Sequence, residues 1–129
     1  MAVEGIIDRE ALGALAEDVG TERVRTIVGS YLATLDERVY HLRAALAGCD
    51  TERAIIALRG LRSASALVGA RELAAIVEEA EPALARGRYG PARAALPEIM
   101  LSAAATAGML RAVLSEPAAS GTPRPARSR

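Results

Sequence analysis

Few residues in this chain have side chains that could do chemistry. There is one histidine, His41, and one cysteine, Cys49. An imidazole can exchange a proton, or hold a phosphoryl group, near neutral pH. His41 is therefore the one ordinary candidate for such work, and its context YHLRAAL places it on a long helix, turned outward beside a core-facing Leu42. Metal centres need clustered His, Cys, Asp or Glu, and one His far from one Cys in helical register makes no cluster. No metal or other cofactor is expected. A lone cysteine excludes an internal disulfide. Cys49 falls in a short connection, with only the next helix start nearby to lower its pKa, and is expected to be incidental. Asp36-Glu37 and the group Glu78, Glu79 and Glu81 read as solvated helix faces. No phosphate-binding glycine loop, dinucleotide fingerprint or Ser-His-Asp set is present. An enzyme is not expected.

The elements that must position these residues are helices. The chain has 129 residues, the size of a single domain. Hydrophobic residues make up 51% but aromatics only 2%, so Ala, Leu and Val must build the core. Ala and Leu are strong helix formers, and strand-like β-branched or aromatic runs are absent. The fold class is all-α. Formal net charge is zero, which gives no support to general nucleic-acid binding, and the shortage of aromatics removes stacking platforms for single strands. No apolar run approaches the roughly 20 residues of a membrane span, and the N-terminus lacks a basic region followed by an apolar core. A cytoplasmic protein without membrane contact is expected.

Periodicity places the helices. Asp8 caps a short one over about 9–19, ended by Gly20 at C′. Thr21 caps a long helix over about 22–47, whose stripe runs through Val24, Ile27, Val28, Tyr31, Leu35, Val39, Leu42 and Leu46. Thr51 caps a third over about 52–67, broken by Gly69. A fourth covers about 70–86, with Leu73, Ile76, Val77, Ala80 and Leu84 inward, and Pro82 should kink it or end it early. The last runs over about 91–114, with Pro91 in its first turn and a stripe of Leu96, Ile99, Met100, Ala103, Ala107, Leu110 and Val113. Short loops between long helices favour an antiparallel up-down four-helix bundle, with the short leading helix as an extra. Residues 1–115 form this domain. Residues 116–129, rich in Pro, Ser and Arg with no apolar anchor, read as a disordered tail.

The third helix is the informative one. At about 100° per residue, Ile55, Leu58, Leu61, Ser65 and Val68 share the core face. Ile56, Arg59, Gly60, Ser63 and Leu67 lie on the other side, with Arg62 at its edge. That outer face has apolar flanks, two arginines and a mid-helix glycine, which costs about 1 kcal/mol relative to alanine. It reads either as a docking surface or as apolar side chains packed on neighbouring helices.

The segment Leu58 to Glu81, LRGLRSASALVGARELAAIVEEAE, resembles the signature helix pair of histidine phosphotransfer (HPt) domains. That pattern is His-x-Leu-Lys-Gly, small residues, an apolar-Gly-Ala-x-x-Leu turn, and a Glu near the end. Leu61, Arg62, Val68, Gly69, Ala70, Leu73 and Glu81 fall in register. Outside this segment the resemblance, over about residues 6–114, is one of helix lengths and loop positions. It implies a four-helix bundle whose outer face on the third helix meets the receiver domain of a response regulator. The same register puts Arg59 where the phosphoaccepting histidine belongs, Ser63 where the family has Gly, and Arg62 in place of Lys. A guanidinium, with its pKa above 12, has no usable lone pair for phosphotransfer. The resemblance therefore implies a pseudo-HPt domain. Such a domain is a non-catalytic two-component adaptor that binds a receiver domain or a histidine kinase through Ile56, Arg59, Gly60, Arg62, Ser63 and Leu67. Arg59 would then either reach toward the receiver's acidic pocket or stand solvated with no partner. Two alternatives remain: a phosphorelay carrier phosphorylated on His41, and a structural homodimeric bundle joined through Ile56, Gly60 and Leu67. The protein is expected to be a monomer or a homodimer.

Overall fold

The computed structural model describes residues 3–116, all of whose regular structure is helical. The helices are α1 (Val3–Ile6), α2 (Arg9–Val19), α3 (Thr21–Ala47), α4 (Thr51–Leu67), α5 (Arg71–Ala85) and α6 (Gly90–Ser115). Helices α3 to α6 close into an antiparallel ring in which α3 packs on α4, α4 on α5, α5 on α6, and α6 back on α3. This is the expected four-helix bundle. The short leading helix is α2, lying against α3, and a single further turn, α1, precedes it and touches α5 and α6. Of the expected tail, 116–129, only Glu116 is described, its carboxylate 3.2 Å from Arg9; residues 117–129 lie outside the described residues.

The core is aliphatic, as the composition requires. Val28, Leu35, Leu42 and Leu46 of α3 meet Leu58 and Leu61 of α4, Leu73, Val77 and Leu84 of α5, and Ile99 and Leu110 of α6. Each such side chain contributes about 1.5–3 kcal/mol by leaving water. Ala54, Ala80, Ala92 and Ala103 are buried among them. Met100, expected inward, is instead exposed; Ser102 and Thr106 take buried positions in α6. Ser102 Oγ donates to Glu72 Oε1 at 2.7 Å. In the interior of the α3–α4 pair, Tyr31 Oη and Ser65 Oγ share a 2.8 Å hydrogen bond.

Several local expectations are corrected. Asp8 caps α2 as expected, accepting from Ala11 N at 3.1 Å, but α3 is capped by Gly20 and α4 by Asp50, not by Thr21 and Thr51. Asp50 Oδ1 accepts from Arg53 N. Helix α5 continues past Pro82 to Ala85. Proline there forfeits one bond to the carbonyl of Glu78, an exposed residue. Helix α6 also runs through Pro97, and it is long and apolar enough to cross a membrane by length and composition alone. This corrects the expectation that no apolar run approaches the length of a span. In the bundle, the inner stripe of α6 is core.

Gly69 sets the α4–α5 turn. Its φ of +77° is one that side-chain-bearing residues rarely adopt. A Cβ there would also stand 2.8 Å from the carbonyl oxygen of Asp8. The close approach is used: Asp8 N donates to Gly69 O at 2.7 Å, pinning the start of α2 onto the turn.

Candidate functional site

The two faces of α4 separate as its periodicity demands. Leu58, Leu61, Ser65 and Val68 are buried, and Ile55 is partly so. On the outer side Ile56 is 65% and Leu67 52% exposed, with Arg59 and Ser63 open to solvent between them. Ile56 and Leu67 do not pack away on neighbouring helices.

The two arginines converge on one carboxylate of α5. Arg59 Nε donates to Glu81 Oε2 at 2.5 Å, and Arg62 Nη1 donates to Oε1 at 3.3 Å. Each oxygen of Glu81 thus has its own guanidinium, and the Glu81 side chain is only 16% exposed. Exposed ion pairs are worth about 0–1 kcal/mol. This one, with a largely buried acceptor and charge-assisted bonds, belongs at the upper end of that range. The expectation of a solvated carboxylate fails for Glu81, while Glu78 and Glu79 are exposed as expected. Arg59 is likewise no partnerless arginine; its side chain is tied to the next helix.

Gly60 is only partly exposed, because Arg38 of α3 lies over it. A Cβ at position 60 would sit 3.3 Å from Arg38 Nη1. Arg38 was not foreseen. The one local signal for it was the glycine itself, placed mid-helix against its propensity. Arg38 Nε is buried and has no hydrogen-bond partner among the described residues.

Beyond Gly60, α3 and α4 diverge into a half-open groove of about 660 Å³, lined among others by Arg38, His41, Arg53, Ile56 and Ala57. His41 is exposed, as expected, with its ring 5.9 Å from that of Tyr40. The structure therefore puts the lone histidine at the groove and not in the Arg59–Arg62–Glu81 cluster.

Cys49 is less isolated than expected. It is exposed, in a left-handed backbone conformation with φ 55°, and Arg93 Nη2 stands 3.0 Å from its Sγ. Arg93 also donates twice to Leu46 O, at 3.1 and 2.6 Å, satisfying a carbonyl at the α3 C-terminus. The Tyr89 hydroxyl donates to Cys49 O and contacts Thr51 Oγ1, and the Arg93 guanidinium lies over the Tyr89 ring. These contacts fasten the α3–α4 loop to the start of α6. Among the described residues no three His, Cys, Asp or Glu side chains are grouped to hold a metal ion.

Neither family models nor curated proteins match this sequence. The backbone does have a solved counterpart. The crystal structure of histidine-containing phosphotransfer protein B (HptB) from Pseudomonas aeruginosa PAO1 superposes with a TM-score of 0.78, covering 88% of this chain and 96% of that one at 21% identity. The fold is that of a histidine-containing phosphotransfer protein. At this identity the likeness concerns the fold alone. The Arg59–Arg62–Glu81 cluster is a property of this chain, carried on the outer face of an HPt-type bundle.

Proposed function

We propose that the chain is a pseudo-HPt domain: a two-component adaptor that binds a receiver domain or a histidine kinase without carrying phosphate. The carrying observation is the guanidinium of Arg59, fixed by Glu81 on the exposed face of α4 where the resemblance calls for an imidazole. A group charged at all accessible pH values cannot take a phosphoryl group from an acyl phosphate. The surface around it keeps what recognition needs. Ile56 and Leu67 offer apolar area on either side of the cluster, and Arg59 and Arg62 bring two cations to one carboxylate, leaving an excess of positive charge for an acidic partner. Ser63 lies one turn beyond Arg59. Binding of this kind regulates by differential affinity: a receiver state that binds better is the state enriched.

The test combines transfer and binding. The chain, incubated with phosphorylated receiver domains and autophosphorylated kinases from one source genome, should take up no label while retaining one of them in a pulldown. Arg59→Glu and Gly60→Trp should each release that partner. Stable labelling of the chain that disappears in His41→Ala would replace the adaptor with a carrier. His41 lines the groove alongside Arg38 and Arg53, two cations suited to an incoming phosphoryl group, so this outcome has a structural basis of its own.

A further inference from the structure

Two surfaces on opposite sides of the bundle carry apolar residues framed by opposite charge. The first is the α3–α4 groove. Ile56 stands at its rim, and Arg38, Arg53 and His41 line it against a single carboxylate, Asp50. That carboxylate is already committed, one oxygen capping α4 and the other 3.5 Å from Arg53. Arg38 makes no ion pair among the described residues, and its buried Nε has no acceptor. The groove is therefore a cationic slot short of one carboxylate.

The second surface is the ridge along α5 and α6. Leu101 is 74% exposed. Leu101 lines a shallow depression with Glu72 and Glu98, and Glu79 lines a second one that shares those two glutamates, with Arg71 the one cation. Glu72 is bonded to Ser102, whereas Glu79 and Glu98 make no ion pair among the described residues. Only 28% of the most apolar window of α6 is buried, so the outer side of this helix is uncovered over most of its length. Because α3–α4 and α5–α6 are opposite seams of the ring, one copy cannot bring its own ridge to its own groove.

We propose that the chain associates with itself head to tail: the ridge of one copy, led by Leu101 and Glu98, seats in the α3–α4 groove of the next, where Glu98 meets Arg38. Complementary charge selects a second copy as the occupant. The ridge supplies unpaired carboxylates beside a protruding leucine, and the groove supplies an unpaired guanidinium beside an open apolar floor. The contact is heterologous. Each added copy leaves one free groove and one free ridge, so assembly does not stop at two unless a ring closes. Since Ile56 and Gly60 belong both to this groove and to the proposed partner face, self-association and partner binding would exclude one another.

Sedimentation velocity of the purified chain over a range of concentrations tests the idea. The average mass should rise with concentration past that of a dimer and fall when salt is raised. Arg38→Glu disables the groove, and Leu101→Ser, at an exposed position, disables the ridge. Each variant, checked for helicity by circular dichroism, should weaken association about tenfold or more. Mixed in equal amounts, the two should form a one-to-one complex that grows no further, because one contributes its intact ridge and the other its intact groove. A chain that stays monomeric at every concentration overturns the proposal. So does a dimer that never grows and ignores Leu101→Ser, or the failure of two folded variants to complement one another. Binding of a monomeric chain to lipid vesicles that is lost in Leu101→Ser would overturn it too, by giving the ridge a different occupant.

Discussion

Glu81 is the residue on which the candidate site turns. It accepts from Arg59 and Arg62 at once, so removing its charge should free both guanidiniums while leaving the core untouched. The same carboxylate would be well placed to orient an imidazole, since a histidine that donates from one ring nitrogen presents the lone pair of the other. A direct prediction follows from the proposed function. The double variant Arg59→His, Ser63→Gly should gain phosphate from a receiver or kinase that the wild-type chain binds but cannot be labelled by. Acid-labile label on the double variant, absent from wild type and from Arg59→His combined with Glu81→Ala, is the expected result. No gain of label would mean that the α4 face does not present position 59 to the partner's phosphorylated group. At the same scale, Gly60→Ala should be mild, because the atom it meets is the end of a flexible arginine. Gly60→Trp would have to expel Arg38 from its place.

At the level of elements, the α4–α5 turn is the least replaceable piece. Gly69 combines a positive φ with a carbonyl oxygen 2.8 Å from any added Cβ, and that oxygen belongs to backbone that cannot swing aside. Gly69→Ala should cost about 2 kcal/mol or more and lower the thermal midpoint by several degrees, measured by circular dichroism. The existence of the helices, and which face of α4 points inward, were legible in the sequence, since both rest on a repeat of three to four residues among Leu58, Leu61, Ser65 and Val68. The caps were less so: Gly20-Thr21 and Asp50-Thr51 each put a possible cap in front of a threonine, and local sequence does not say which residue takes the position. The site cluster was not legible as a cluster. Arg59 and Arg62 meet a carboxylate 22 and 19 residues away, and Arg93 reaches a carbonyl 47 residues back; no short spacing encodes such pairings. Glu81 was in view as one of three neighbouring glutamates and as the closing Glu of the resembled pattern, in neither case as a partner of Arg59 and Arg62. Helical phase alone does not reveal that it is the one turned toward α4.

For the molecule as a whole, the burial of Tyr31 makes stability depend on pH in the alkaline range. Burial raises the Tyr31 pKa above its ordinary value of about 10, outweighing the hydrogen bond with Ser65 and the charge of Arg38, which both lower it. Above the unfolded pKa the unfolded chain gives up this proton more readily than the folded one, so folding stability is lost as pH rises from about 10 toward the folded pKa. Urea midpoints should therefore fall in that window for wild type, and less for Tyr31→Phe, which starts lower because Ser65 loses its partner. A different consequence lies in the single backbone bond from Asp8 to Gly69. It closes a long loop, and its acceptor is held in place only after α4 and α5 have formed their turn. Helix α2 buries just one side chain completely enough to count as core, Leu12. The N-terminal arm should accordingly be the last part to join during folding and the first to open afterwards. Amide hydrogens of α2 should exchange with solvent well before those in the middle of α4 and α5, and Gly69→Ala should accelerate them further. Around a slowly exchanging ring of four helices, the chain would then carry a separately opening unit whose release uncovers the edge of the α4–α5 turn without unfolding the rest.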